Sequence, residues 1–275
     1  MSAAVPRSAG KAESAPRPEA PLGVKLLAVV ASALLFVPLL TLVSLAFVKR
    51  TPEGGFLFTL EWFTAVFQDA RILAALGTSL WIGLWSALLS AAIGTAAAIA
   101  LVRADFPGKK AFEVLTHVPL VMPEIVMGIS LLAWFVFLKL TLGQFSVILA
   151  HVCFSLSYVI LTVKARLLGI DPQLEEAAQD LGASPWIGFW RVTFPLLLPG
   201  VLSGAVMAFT LSFDDFLITF FTAGVGVETL PLRIYAMIKF GVSPEINALS
   251  TLLLAVTIIG VLIAFRPFGA LKKSG

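Results

Sequence analysis

The chain has 275 residues, 59% of them hydrophobic and 13% charged, with a net charge of +3. Soluble domains average about 25% charged residues, so the composition excludes a water-soluble globular protein and defines an all-α integral membrane protein. The basic residues are scattered in ones and twos with no stripe for nucleic acid, and the one cysteine, Cys153, excludes a disulfide framework or a CxxC metal or redox site.

Residues 1–23 are rich in Ala, Pro and Ser, carry too little apolar surface to pack, and read as a disordered tail. The membrane domain runs over 24–268, and 269–275 is a short second tail. The first apolar stretch, Val24–Val48, has no small-residue cleavage site followed by a polar region, so it reads as a retained anchor and not as a signal peptide. Stretches long enough to cross about 30 Å of hydrocarbon fall at 24–48, 76–102, 112–139, 144–168, 196–222 and 245–266, which predicts six transmembrane helices. A cytoplasmic N-terminus leaves six of the 19 basic residues outside, Lys49, Arg50, Arg71, Lys139, Arg233 and Lys239, and puts the other 13 inside. The positive-inside rule therefore places both termini in the cytoplasm.

Two outer segments, 58–67 and 230–241, carry aromatic and apolar residues at helical spacing, suited to the headgroup region or to docking an external partner. The stretch SPEINAL, 243–249, is a helix start, with Ser243 as cap, Pro244 in the first position and Glu245 on the positive end of the dipole.

Between spans four and five lies a polar insert, 169–195, on the cytoplasmic side. Asp171 can cap a helix that has Pro172 in its first position and Glu175 and Glu176 near its start. Leu174, Ala177, Ala178 and Leu181 then recur at i, i+3, i+4 and i+7 to make a narrow apolar face. Gly182 supplies a left-handed stop. Ser184 and Pro185 restart a second short helix through Trp190, and Pro195 closes the unit before span five. Loops of this length are uncommon unless functional, and a small-residue face suits a groove on another protein. A self-packed connector is the alternative.

The run EAAQDLG followed by nine residues and VTFP resembles the EAA loop of the membrane subunits of ABC importers, which reads EAA, three residues, Gly, nine residues and Ile-x-Leu-Pro. Glu176, Ala177, Ala178, Gly182 and Pro195 match it, with Val192 and Phe194 in place of the usual Ile and Leu. The resemblance implies a type I ABC importer permease fold in a bacterial inner membrane. It makes Glu175, Glu176, Ala177, Ala178, Gly182 and Pro195 an ATPase-coupling element that sits in a cleft of an ATP-hydrolysing partner. The chain has no GxxxxGK[ST] loop, and FPGKKAF at 106–112 lacks the upstream glycine that cradles phosphate. No catalytic residue and no cofactor are expected in this chain, since ATP and Mg bind to the partner subunits.

Ionisable residues within a span cost about 2.5–3.5 kcal/mol each and are functional candidates. Glu124 lies mid-span in VPLVMPEIVMGIS, where Pro119 and Pro123 kink the helix. Asp214 and Asp215 lie in the outer half of span five and point about 100° apart on an ideal helix. With no Lys or Arg at these depths, unpaired acids suit a cationic substrate, a polycation above all. Bonds to hydroxyls such as Thr210, Ser212 or Thr219 are the structural alternative. His117 and His151 lie at span ends, are too isolated for a metal site, and suit interfacial structural roles.

LSFDDFLITFFTAG, followed by LPLRIYAMIKFGVSPEINALSTLLL, is similar to the C-type membrane subunit of spermidine/putrescine importers, most strongly over 205–254. That resemblance implies a second homologous permease, two ATP-binding subunits and an extracytoplasmic binding protein that delivers a polyamine. Glu124, Asp214 and Asp215 would then line the substrate path. An importer permease for a different small solute, a passive cation channel and a membrane-embedded aspartate hydrolase are the competing readings. The hydrolase fits badly, because Asp214 and Asp215 diverge from one helix.

Overall fold

The computed structural model of the protein describes residues 21–271 apart from 240 and 242. The tail expected over 1–23 lies almost wholly outside the described residues, as do residues 272–275 of the second tail. In chain order the elements are α1 (Leu22–Ala46), β1 (Val48–Arg50), β2 (Phe56–Phe58), α2 (Glu61–Gln68), α3 (Ala70–Arg103), α4 (Lys109–Val121) and α5 (Glu124–Phe137). They continue with α6 (Gln144–Leu168), α7 (Gln173–Asp180), α8 (Pro185–Gly188), a π-helical turn (Phe189–Thr193), α9 (Phe194–Asp214), α10 (Leu217–Thr222), α11 (Leu230–Lys239) and α12 (Pro244–Leu271). Two compact units divide the chain, one of Leu60–Leu249 and one comprising the chain up to Thr59 and from Ser250 onward.

The smaller unit holds α1 and a hairpin that the sequence did not announce. Val48 pairs with Phe58, Lys49 with Leu57 and Arg50 with Phe56, so the first span ends at Ala46 and the chain leaves it as an antiparallel ribbon. Almost every residue of α1 is exposed, and its mean hydropathy over the most apolar window is 2.7. Such a surface is compatible with water only if something else covers it, and lipid does so.

In the larger unit, α3, α6 and α9 pack together around Ala98, Leu101, Val159, Ile160, Val163, Leu197 and Ala208. Lipid removes the hydrophobic drive between helices, so close packing of small residues must replace it. The sequence of α3 provides such a face: Ser79, Gly83, Ser86, Ala87, Ser90, Ala91, Gly94 and Ala98 are all buried. Val159 of α6 is clasped between two glycines. A Cβ on Gly94 would stand 2.7 Å from its Cγ1, and one on Gly204 of α9 would stand 3.3 Å from it.

Four helices, α1, α3, α6 and the run Pro185–Asp214, are each long and apolar enough to span a membrane. The third expected span is not one helix. It breaks at Met122–Pro123 into α4 and α5, which meet at 117° and make a fifth candidate span only as a bent pair. Pro123 (φ −58°, ψ 131°) causes the break, because proline disfavours helical backbone in the residue before it and brings no N–H. Pro119 stays inside α4. Span five is also interrupted, at Asp215 and Phe216 between α9 and α10. The sixth expected span begins at Pro244 as predicted and runs 28 residues as α12.

The outer segments are helical as their spacing predicted. α2 abuts α3, and Asp69 caps α3 by accepting bonds from Arg71 N at 2.7 Å and Ile72 N at 3.3 Å. The same carboxylate holds Arg233 of α11 at 3.3 Å. Burial raises the Asp69 pKa, but the two amides and the Arg233 guanidinium outweigh it and hold the carboxyl below its ordinary range.

Candidate functional site

The insert folds from local signals. Asp171 Oδ1 accepts a bond from Gln173 N at 3.0 Å, and Pro172 is already helical (φ −60°, ψ −26°). At the other end of α7, Gly182 adopts φ +88°. Gly182 N donates to Gln179 O at 2.8 Å and Ala183 N to Ala178 O at 3.0 Å, the paired bonds of a Schellman stop. Ser184 Oγ then accepts from Ile187 N at 3.4 Å and Pro185 opens α8.

Pro195 does not close the unit, contrary to the sequence reading. The chain passes from α8 through the π turn into α9, so that Pro185–Asp214 is one continuous helix of 30 residues. Proline at 195 cannot donate to the carbonyl of Arg191. The register widens instead, and Phe194 N reaches back to Phe189 O.

The face of the insert is left open. Leu181 is 90% exposed, Trp186 71% and Leu174 46%, and Ala177 is exposed beside them. Glu176 also points outward, whereas Glu175 points inward. Glu175 Oε1 accepts a bond from Arg103 Nη2 at 2.5 Å, at the last residue of α3, and one from the hydroxyl of Thr193, which is fully buried in the π turn. One carboxylate therefore ties α7 to both α3 and the start of span five. Beside it, Arg166 Nε donates to Leu196 O at 2.9 Å while its stem lies over Gly200, and Lys164 of α6 pairs with Glu113 of α4.

The three intramembrane acids lie at helix breaks. Glu124 is not mid-helix, as expected, but the first residue of α5, exposed and on the positive end of that helix dipole. Asp214 is the last residue of α9 and is exposed. Asp215, one residue on, is buried and turned the other way. It accepts bonds from Thr219 N at 2.7 Å, Thr219 Oγ1 at 2.8 Å and Ile218 N at 3.3 Å, and so caps α10.

His151 was expected at an interface. It is 1% exposed within α6, with Nε2 3.2 Å from Asp215 Oδ2 and 3.0 Å from Thr219 Oγ1, and Nδ1 2.6 Å from Ser212 Oγ. The structural alternative of hydroxyl bonding thus holds for Asp215 with Thr219, while Thr210 bonds its own helix at Val206 O. Sequence reasoning missed His151, Arg103 and Thr193. A usable signal was present for the first: Ser212, Asp215, Thr219 and Thr222 recur at 0, 3, 7 and 10, a polar stripe that requires a polar partner.

These features describe a helical membrane protein with an exposed polar insert and acids at broken spans. The sequence of residues 90–272 matches the family described as binding-protein-dependent transport system inner membrane component, and the chain belongs to that family. It is a multi-pass inner-membrane subunit of a bacterial ABC importer, a transporter component and not an enzyme, and binds no cofactor itself. Among its relatives, the spermidine/putrescine transport system permease protein PotC of Haemophilus influenzae is 39% identical over 84% of this chain and 91% of its own length. PotC of Escherichia coli is 41% identical over 74% of this chain and 78% of its own. The putrescine transport system permease protein PotI of Escherichia coli is 39% identical over 82% and 84%. Among solved structures, a bacterial ABC transporter involved in the import of the acidic polysaccharide alginate superposes with a TM-score of 0.68 over 92% of this chain and 96% of its own, at 16% identity. That likeness is one of fold.

Proposed function

We propose that this permease forms half of a translocation path for polyamines, spermidine and putrescine, delivered by an extracytoplasmic binding protein. A second homologous permease supplies the other half, and two ATP-binding subunits drive the cycle. Both termini and the insert 169–195 face the cytoplasm, in keeping with the distribution of basic residues.

The observation that carries the substrate reading is the pair of exposed carboxylates at breaks in two spans, Glu124 and Asp214, neither paired with a basic side chain among the described residues. A chain break frees backbone polar groups, which at membrane depth is tolerated where the backbone lines a cavity or is buried in protein. Carboxyl groups at such a place suit ammonium groups. Asp215 contributes to the same path by fixing the break, its own oxygens being occupied. The names of the relatives at 39–41% identity point to the same substrate class.

Coupling runs through α7. Its open apolar face, Leu174, Ala177 and Leu181, seats in a groove of the ATPase partner, Glu176 rims it, Gly182 ends the helix, and Pro195 sets the π turn further along the insert. ATP-driven closure of the partners then moves the insert as a lever and rocks the spans between inward-open and outward-open states.

The test is uptake of labelled spermidine and putrescine by vesicles holding the full complex, wild type against Glu124→Gln and Asp214→Asn. Uptake that collapses in the variants while the complex still assembles supports the path. Wild-type vesicles that ignore both polyamines and respond to another delivered solute overturn the substrate.

A further inference from the structure

His151 touches span five on both sides of its break, and it does so around Asp214. Its Nδ1 lies 2.6 Å from Ser212 Oγ, two residues before Asp214, and its Nε2 lies 3.2 Å from Asp215 Oδ2, one residue after it. Thr219 Oγ1 donates to Asp215 Oδ2 at 2.8 Å, and a carboxylate only accepts. His151 Nε2 is therefore the donor toward Asp215, while Nδ1 shares a hydrogen bond with the Ser212 hydroxyl.

The consequence is geometric. Asp215 has extended backbone (φ −65°, ψ 127°) and no proline or glycine imposes it, so the bonds of its side chain help to hold the turn after Asp214. Ser146, five residues before His151 on α6, donates to Thr222 O at 2.7 Å at the far end of α10. α10 is thus pinned to α6 at both ends, and His151 is the pin that also grips α9. Removing it releases the link between the two halves of span five where the exposed carboxylate projects.

We propose that His151 is a positioning residue for the translocation path, which sets the direction of the Asp214 carboxylate by bonding Ser212 before the break and Asp215 after it. This rests on the reading that Asp214 meets the substrate. A misdirected carboxylate weakens substrate engagement in the path without touching the insert, so transport falls relative to ATP hydrolysis.

The experiment measures spermidine uptake and binding-protein-stimulated ATP hydrolysis in proteoliposomes of the full complex, for wild type, His151→Phe, His151→Gln, Asp214→Asn and the double variant of His151→Phe with Asp214→Asn. His151→Phe is expected to lower uptake about tenfold, the scale of one or two lost buried hydrogen bonds, with hydrolysis within about twofold of wild type. His151→Gln keeps a donor toward Asp215 and is expected to recover most of the uptake. In the Asp214→Asn background His151→Phe is expected to add nothing. Multiplicative losses in the double variant, or failure of complex assembly in both His151 variants, overturn the positioning role. An Asp214→Asn complex with undiminished uptake overturns instead the reading of Asp214 on which the role stands.

Discussion

Arg103 Nη2 and Glu175 Oε1 meet at 2.5 Å, 72 residues apart in sequence, and join the last residue of the longest helix to the first turn of the insert. With the Thr193 hydroxyl on the same oxygen, the contact clamps α7 to α3 and to the helix that continues as span five. Both side chains are partly exposed, so the pair contributes modestly to stability, about 1 kcal/mol in a double-mutant cycle. In the proposed lever mechanism its larger effect is on force transmission. Arg103→Ala and Glu175→Ala are each expected to lower uptake per ATP hydrolysed about fivefold with assembly intact, and the double variant to be no worse than either single change. Uptake and hydrolysis measured together on reconstituted complexes check this.

Ala177 is exposed on the open face of α7 and carries no internal load. Ala177→Asp is expected to leave the stability of the chain within about 0.5 kcal/mol of wild type. It should lower ATP-dependent uptake at least tenfold, roughly, because an unpaired charge pressed into an apolar interface costs several kcal/mol. Pull-down of the ATPase partner, run beside uptake, separates lost docking from lost folding. Wild-type uptake with Asp at 177 would sink the lever mechanism.

Gly94 sits where a Cβ would be 2.7 Å from Val159 Cγ1. Gly94→Ala is expected to destabilise the α3–α6 packing by about 1–3 kcal/mol, the usual cost of overfilling a packed interior. Val159→Ala in the same chain should return part of that loss by vacating the space. Thermal unfolding of the purified complex in one detergent reads both effects, and additive losses would refute the contact.

The Asp69 carboxyl is held below its ordinary range against the opposing effect of burial. A depressed pKa means that the folded state binds fewer protons than the unfolded one. The stabilisation is therefore fully present above the ordinary Asp value of about 3.9 and is lost as pH falls through the lower folded value. Asp69→Asn keeps a competent cap for α3 but removes the charge that holds Arg233. The melting temperature of the variant is expected to fall below wild type at pH 7 and to converge with it as pH drops through the folded value of the carboxyl. An offset that stays constant as pH falls would remove the Arg233 contact from the explanation.

How much the sequence disclosed depended on how far apart the determining residues were. The insert was legible because its signals act within a few positions: Asp171 on Gln173, Gly182 on the turn behind it, Ser184 on Ile187. The break at Pro123 was legible as a kink for the same reason, though not its 117° size, which depends on what α5 packs against. Gly128 of α5 lies so close to α10 that a Cβ would be 2.8 Å from Phe221 Cδ2, a contact across more than 90 residues. The continuity through Pro195 was misread, because a proline stop and a π turn begin with the same missing N–H. The sequence located the three acids but not their environments. Asp215 turns inward to His151, 64 residues away, and the local sign that it and not Asp214 would be buried was its place in the polar stripe with Ser212, Thr219 and Thr222.

The widened turn at Phe189–Thr193 decides where this molecule can yield. Since Pro185–Asp214 runs without interruption over 30 residues, about 42 Å of helix separates the exposed Trp186 from Asp214. In the proposed lever mechanism, a hinge at Pro195 would put the compliant joint next to the ATPase partner and dissipate its stroke there. The joint lies instead at the opposite tip, at Asp215 and Phe216. On that mechanism a push delivered at the insert travels the full length of the helix as axial shift or twist, and first becomes bending beside the carboxylate that is proposed to hold the cargo.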